Sequence, residues 1–233
     1  MIKIEHFTFN AFQTCCSVVW DKDGNCAFVD PGNHSERETE EIISFVRTTG
    51  LKPACIMLTH CHLDHIYGMS ALVRKFDIPV YAHKDEAYTL TNTNPMVCKA
   101  FGLPLPETFP ILDANGEEIT SDRYIAVSDG DVVNVGELRF EVIETPGHTK
   151  GGVCFYERSE KTLFCGDTLF AGAIGRTDHP GGDYDTLMRS IFEKLLHLDG
   201  ETAVIPGHGP STDIATERMT NPFLMPFNEP YDE

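Results

Sequence analysis

The chain has 233 residues, enough for a substantial buried core in one large domain or two small ones. Hydrophobic residues make up 41% and charged residues 23%, an ordinary globular composition, and no apolar run approaches the ~20 residues of a membrane-spanning helix. A net charge of −18 with no basic stripe argues against nucleic acid and anionic membranes as partners, and gives an anionic substrate no long-range attraction.

The N-terminal stretch MIKIEHFTFN lacks a basic-then-apolar export signal, so a cytoplasmic protein is expected. Eight cysteines fit that compartment as buried free thiols. Cys15 and Cys16 are adjacent, no C-x-x-C occurs, and most of the others sit in apolar runs such as ACIML and GVCFY.

Taken in chain order, IKIEHFTF, CCSVVW and CAFVD read as strands, the last two joined by the turn DKDGN. SERETEEIISFVRTTG predicts a helix with Ser35 as N-cap, Glu38 three residues on and Gly50 as stop; Ile42, Ile43, Phe45 and Val46 form its buried face. ACIMLT is a short buried strand. A helix follows from near His65 to about Phe76, then the strand PVYAH. Residues 92–125, with four prolines among scattered apolar residues, read as an irregular insertion holding a short helix at most. DVVNVGELRFEVIET predicts a hairpin turning at Asn134–Gly136, and GVCFYE and KTLFCG two more strands. YDTLMRSIFEKLLHL is an amphipathic helix with Leu187, Ile191 and Leu195 at spacing four and Asp183 as cap; TAVIPG is the last strand.

The segment LTHCHLDHIYG at 58–68 packs three histidines and an aspartate at a strand end. A lone histidine is more often a hydrogen-bonded surface or core group than a ligand. Three histidines this close repel one another when protonated and, with the aspartate, need partners when buried neutral, so the four point to a metal. His60 and His62, two apart on extended chain, project to one side; Asp64 falls in register with them, and His65 steps onto the helix. More donors are expected at other strand ends, where open α/β sheets place ligands. TPGH supplies His148, CGDTLF supplies Asp167 and IPGH supplies His208. Five histidines and two carboxylates exceed one catalytic zinc and suit two metals sharing a carboxylate.

The motif T-H-x-H-x-D-H at Thr59–His65, followed by a distant His, Asp and His, with VDPG at 29–32 and the two PGH turns, resembles the metallo-β-lactamase fold superfamily over nearly the whole chain. GDTLFAGAIGRTDHPGGD and IPGHGPST look like the short glyoxalase II-like (hydroxyacylglutathione hydrolase-like) thioester hydrolases. The resemblance implies one domain over residues 1–233. Its fold would be a four-layer αβ/βα sandwich with the metal site at the edge between two sheets. By position it implies His60, His62 and His148 on a first metal, Asp64, His65 and His208 on a second, and Asp167 bridging, with Asp64 and Asp167 as the carboxylates of the catalytic centre. Zinc is the leading metal for both positions, with iron or manganese as alternatives. Asp30 is a candidate to orient a ligand histidine through a hydrogen bond.

Two divalent ions lower the pKa of a shared water from ~15.7 towards ~7, giving a bridging hydroxide that attacks a polarised carbonyl. A thioester suits this chemistry, since its thiolate, with a conjugate pKa of ~8.5, leaves without a strong general acid. S-lactoylglutathione or a related small-molecule acyl thioester is the implied substrate. Larger glyoxalase II proteins hold glutathione with a C-terminal helical domain; only 25 residues follow His208, so that recognition does not carry over. Lys150 and Arg176 are candidates for a substrate carboxylate, Arg176 alternatively for pairing with Asp178. His179 lies near the site without a metal role, and Cys61 and Cys165 are expected to face away from it. The runner-up is a glutathione persulfide dioxygenase with one iron on His60, His148 and Asp167. A lactonase or β-lactamase-like hydrolase is third.

Overall fold

The computed structural model describes residues 1–105 and 123–225. Two six-stranded sheets face each other. The first is ordered β1 (Lys3–Phe9), β2 (Thr14–Trp20), β3 (Asn25–Val29), β4 (Lys52–Met57), β5 (Val80–His83) and β6 (Tyr124–Val127). The second contains β7 (Val132–Val135), β8 (Leu138–Glu144), β9 (Val153–Glu157), β10 (Thr162–Gly166), β13 (Ala203–Pro206) and β14 (Thr212–Asp213), in spatial order β14-β13-β10-β9-β8-β7. A small hairpin, β11 (Leu169–Phe170) with β12 (Ala173–Ile174), follows β10 in the chain.

The layering follows from the period of two along each strand. In β2 and β3, Val18, Cys26 and Phe28 pack outward against Ile42 and Val46 of α1 (Glu36–Thr49) and Leu72 and Val73 of α3 (Met69–Phe76). Their neighbours Val19, Ala27 and Val29 turn inward to meet Phe140, Phe155 and Phe164 of the second sheet. In β9 and β10, Cys154, Tyr156, Leu163 and Cys165 pack outward against Leu187 and Met188 of α5 (Tyr184–Ser190) and Ile191 and Leu195 beyond it. The result is the expected αβ/βα sandwich, with a helix-covered face on each side of a sheet-on-sheet core. Seven of the eight cysteines are buried and all are free thiols. No helix among the described residues is long and apolar enough to cross a membrane.

Several elements differ from expectation in instructive ways. Ser35 and Glu38 do form a reciprocal capping box on α1, and Gly50 ends it at φ 69°. The single helix expected from His65 to Phe76 is instead two: α2 (Leu63–Ile66) and α3, interrupted where the Gly68 N–H leaves the helix to bond Pro31 O at 2.8 Å. In the insertion, α4 (Asn94–Phe101) is the expected short helix, preceded by a π-helical turn over Thr89–Thr93. Tyr124 and Ile125, assigned to that insertion, belong to β6, which pairs in parallel with β5 and closes the sheet; residues 106–122 of it lie outside the described residues. The hairpin turns at Gly136–Glu137, because β7 runs on through Val135. The helix from Tyr184 is capped by Asp183, as expected, but becomes π-helical over Ile191–Leu195. The short α6 (Ile214–Thr220), capped by Asp213, was not anticipated.

Gly147, in the loop after β8, stands at φ 134°, and a Cβ there would strike the backbone of Leu187 at the start of α5. Gly147→Ala is therefore expected to cost about 2–4 kcal/mol through strain and overlap. In a chain of this size that lowers the melting temperature by about 5–10 °C, measurable by calorimetry.

Candidate metal centre

Four chain segments converge at one edge of the sandwich. His60 and His62 lie on the extended exit from β4; Asp64 and His65 come from α2, His148 from the β8–β9 loop, Asp167 from the residue after β10, and His208 from the exit of β13. Backbone bonds lock this edge: Val153 N–H donates to Thr59 O at 2.8 Å, and Cys15 N–H to Gly207 O at 2.7 Å. All seven sequence-predicted residues are brought together. One local expectation fails: Asp64 is not in extended register with His60 and His62, because the helix starts at Leu63 and delivers Asp64 and His65 consecutively from its first turn.

Six of the seven predicted residues fall into two groups. His60, His62 and His148 form one; Asp64, His65 and His208 form the other; within each, and within a third set of Asp30 with His60 and His65, the potential ligand atoms lie within 4.8 Å of one another. His62 Nδ1 is 2.9 Å from His148 Nε2. His65 Nε2 and His208 Nε2 are 3.3 Å apart, and Asp64 Oδ2 is 3.4 Å from the former and 3.3 Å from the latter. Asp167 stands between the groups. Its Oδ2 is 3.5 Å from both His148 Nε2 and His208 Nε2, and its Oδ1 is 3.6 Å from His65 Nε2.

Hydrogen bonds set the imidazole tautomers. Arg176 O, which can only accept, is 2.7 Å from His148 Nδ1, so that nitrogen carries hydrogen and Nε2 keeps its lone pair. Asp30 accepts from Thr59 N–H at 2.8 Å, from the Thr59 hydroxyl at 2.6 Å and from His65 Nδ1 at 3.1 Å. With its proton committed to Asp30, the Thr59 oxygen accepts from His60 Nδ1 at 3.1 Å. One buried carboxylate thereby turns the Nε2 atoms of both His60 and His65 towards the centre. Asp30→Asn, which keeps the shape and removes the charge, is expected to weaken metal affinity about 10–100-fold in competitive chelator titrations.

Burial drives His60 and His62 well below the usual histidine range, with the neighbouring imidazoles adding to the effect, and burial also lowers His148. These three present neutral nitrogens. In the second group burial opposes protonation, yet Asp64, Asp167 and Asp30 together lift His65 to about 10. His208 is raised as well, against burial, by the Asp64 hydrogen bond and Asp167. The carboxylates there attract positive charge, which a divalent ion supplies in place of protons. Most telling are His60 Nε2 and Asp167 Oδ1, two buried acceptors with no hydrogen-bond partner. Both face the cluster, where a cation would satisfy them. The donor set fits metal ions.

Two residues at the centre, Thr14 and Asn10, carried no motif. Thr14 donates to Asp64 Oδ2 at 2.8 Å and pairs across to His208; Asn10 Nδ2 donates to Asp64 O at 3.0 Å. His179 packs edge-on to His62 and His148, at 4.8 and 4.9 Å between ring centroids. Arg176 pairs with Asp178 at 2.9 Å, and Lys150 Nζ lies 3.8 Å over the Tyr88 ring. Cys61 packs with the α1/α3 layer and Cys165 with the α5 layer, away from the centre, and burial raises both thiols far above their usual range, which leaves them inert.

Residues 10–208 match the family model described as the metallo-beta-lactamase superfamily, a span that ends on His208. The chain is 36% identical over 223 residues to the hydroxyacylglutathione hydrolase GloC of Haemophilus influenzae, covering 96% of this chain and 98% of that one. Among solved structures, the BLEG-1 B3 metallo-beta-lactamase superposes with a TM-score of 0.82 at 33% identity, covering 95% of this chain and 99% of that one. TTHA1623 in a di-iron-bound form gives 0.78 at 34% identity, covering 94% and 100%.

Proposed function

This chain belongs to the metallo-β-lactamase superfamily, and from that premise we propose that it is a binuclear metal-dependent hydrolase that cleaves a small-molecule acyl thioester such as S-lactoylglutathione. The pair of orphaned acceptors, His60 Nε2 and Asp167 Oδ1, is the observation that carries the metal reading. The similarity to a hydroxyacylglutathione hydrolase over nearly the full length of both chains supports the thioester. In this reading His60, His62 and His148 hold one ion, Asp64, His65 and His208 the other, and Asp167 both. Zinc suits the three-imidazole group; the oxygen-richer second group also suits iron or manganese, and the similarity to a di-iron-bound structure supports iron as an alternative.

Two divalent ions supply a water acidic enough to serve as nucleophile at neutral pH and a Lewis acid for the acyl oxygen. The chain does the rest. Asp30 and Thr59 hold the imidazoles in the tautomers that face inward, and Arg176 O does the same for His148. The Asp64 carboxylate accepts from the Thr14 hydroxyl and its backbone C=O from Asn10 Nδ2, which holds this residue at the rim. Arg176 is engaged by Asp178, which leaves Lys150, on the face of Tyr88 and two residues from His148, as our candidate for a substrate carboxylate. The purified protein is expected to hold about two metal ions per chain and to release free thiol from S-lactoylglutathione. One iron per chain, with oxygen uptake and sulfite from glutathione persulfide, would overturn this in favour of the dioxygenase.

A further inference from the structure

A fully buried carboxyl beside the centre belongs to neither donor group. Glu86 is 0% exposed and closes the short 3-10 turn Lys84–Glu86 directly after β5. Its Oε2 accepts from the Cys61 N–H at 2.6 Å, and its Oε1 accepts from the Gly151 N–H at 3.1 Å. Cys61 lies between His60 and His62; Gly151 lies three residues after His148. One carboxylate therefore ties together the two loops, from different sheets, that carry all three histidines of the first group. Asn94, at the start of α4, completes the hold by donating Nδ2 to Cys61 O at 2.8 Å. The two peptide groups flanking Cys61 are thus fixed in orientation, one through its N–H and one through its C=O. Gly151 approaches so closely that a Cβ there would lie 2.7 Å from Glu86 N and 2.9 Å from His83 Nδ1.

Burying a carboxyl is costly, and burial raises this one, against the lowering effect of the Thr149 and Thr89 side chains and of the Cys61 and Gly151 N–H groups. Ordinary packing does not call for a carboxylate here, since an apolar side chain fills space at no such cost. Two convergent N–H groups from separate loops do call for one, because a carboxylate offers two acceptor oxygens in a fixed fork.

We propose that Glu86 is the positioning residue of the first metal group: by bridging Cys61 N–H and Gly151 N–H it sets the spacing of the His60–His62 segment against His148, and so the affinity of that group for its ion. The proposal rests on the two-metal reading above. Glu86→Gln keeps the volume but turns one acceptor into a donor facing an N–H, so one loop is released.

The test is a competitive chelator titration with zinc, read as two separate affinities. Wild type must show two; if it does not, the two-metal reading fails before Glu86 is in question. Glu86→Gln is expected to weaken one affinity about 10–100-fold and leave the other within about 3-fold. In a His208→Ala background, where the first group alone remains, the same change should weaken the remaining affinity by the same factor. Ile191→Ala, a core truncation under the outer helix, serves as control and should lower the melting temperature without separating the two affinities. Asn94→Ala should reproduce the one-sided loss more weakly, and decides the matter if Glu86→Gln does not fold. Equal weakening of both affinities, or none in a folded variant, overturns the proposal.

Discussion

Asp167→Asn is expected to lower kcat/KM for the thioester at least about 10³-fold, equivalent to about 4 kcal/mol of transition-state stabilisation, and to reduce bound metal from about two ions per chain to about one. The reason is electrostatic. Two divalent cations about 4 Å apart would repel by roughly 17 kcal/mol at an effective dielectric of about 20, so binuclear occupancy would require an anion between them. Asp167 stands between the two groups, with Oδ2 at 3.5 Å from His148 Nε2 and from His208 Nε2. Asparagine preserves its volume and one oxygen, so loss of charge rather than a cavity is what the experiment reads. Metal analysis, thiol release and a melting curve on the same preparation separate loss of the second ion from loss of fold. Two retained ions with more than a tenth of the activity would remove Asp167 from its bridging role.

Much of this architecture was legible because strand alternation and strand-end chemistry are local signals. The three segments ending in LTHCHLDH, TPGH and IPGH announced their histidines in the sequence, and the sheets deliver all of them to one edge. Asp30 was readable as a candidate through the VDPG motif at 29–32, although its place before Pro31 fitted a simple turn residue equally well. The relay from Asp30 through the Thr59 hydroxyl to His60 was not, since it depends on which lone pair the threonine has left to offer. Asp64 was given the wrong local geometry for a related reason. Extended and helical spacings both place it near His65, and only tertiary bonds from Thr14 and Asn10, some 50 residues earlier, settle the chain into a helix at Leu63. Glu86 was invisible. Its role is to join backbone N–H groups, which every residue but proline carries, so no residue type in either loop betrays it. β6 was hidden by its flanks: a short strand after a proline-rich stretch reads as loop until β5 is there to pair with it.

His208→Ala separates the proposed hydrolase from the one-iron alternative. Its side chain keeps 27% exposure at the rim, so truncation leaves little void in the core. Its Nε2 lies 3.3 Å from both His65 Nε2 and Asp64 Oδ2, and no residue of the first group depends on it for a hydrogen bond. Removing it would take one of the four donors proposed for the second ion, Asp167 included, while His60, His62 and His148 keep their mutual geometry. In a binuclear hydrolase the shared water then loses one of the two charges that acidify it, and thioester cleavage should fall at least about 10³-fold, with about one ion retained. A dioxygenase working through His60, His148 and Asp167 needs none of the second group, so sulfite production from glutathione persulfide should stay within about 10-fold of wild type. The two readings thus predict a large loss and near-retention of activity, respectively, for the same protein sample. A His208→Ala variant that keeps its thioesterase activity would show that the Asp64–His65–His208 cluster is structural, and that the chemistry belongs to the three imidazoles and Asp167.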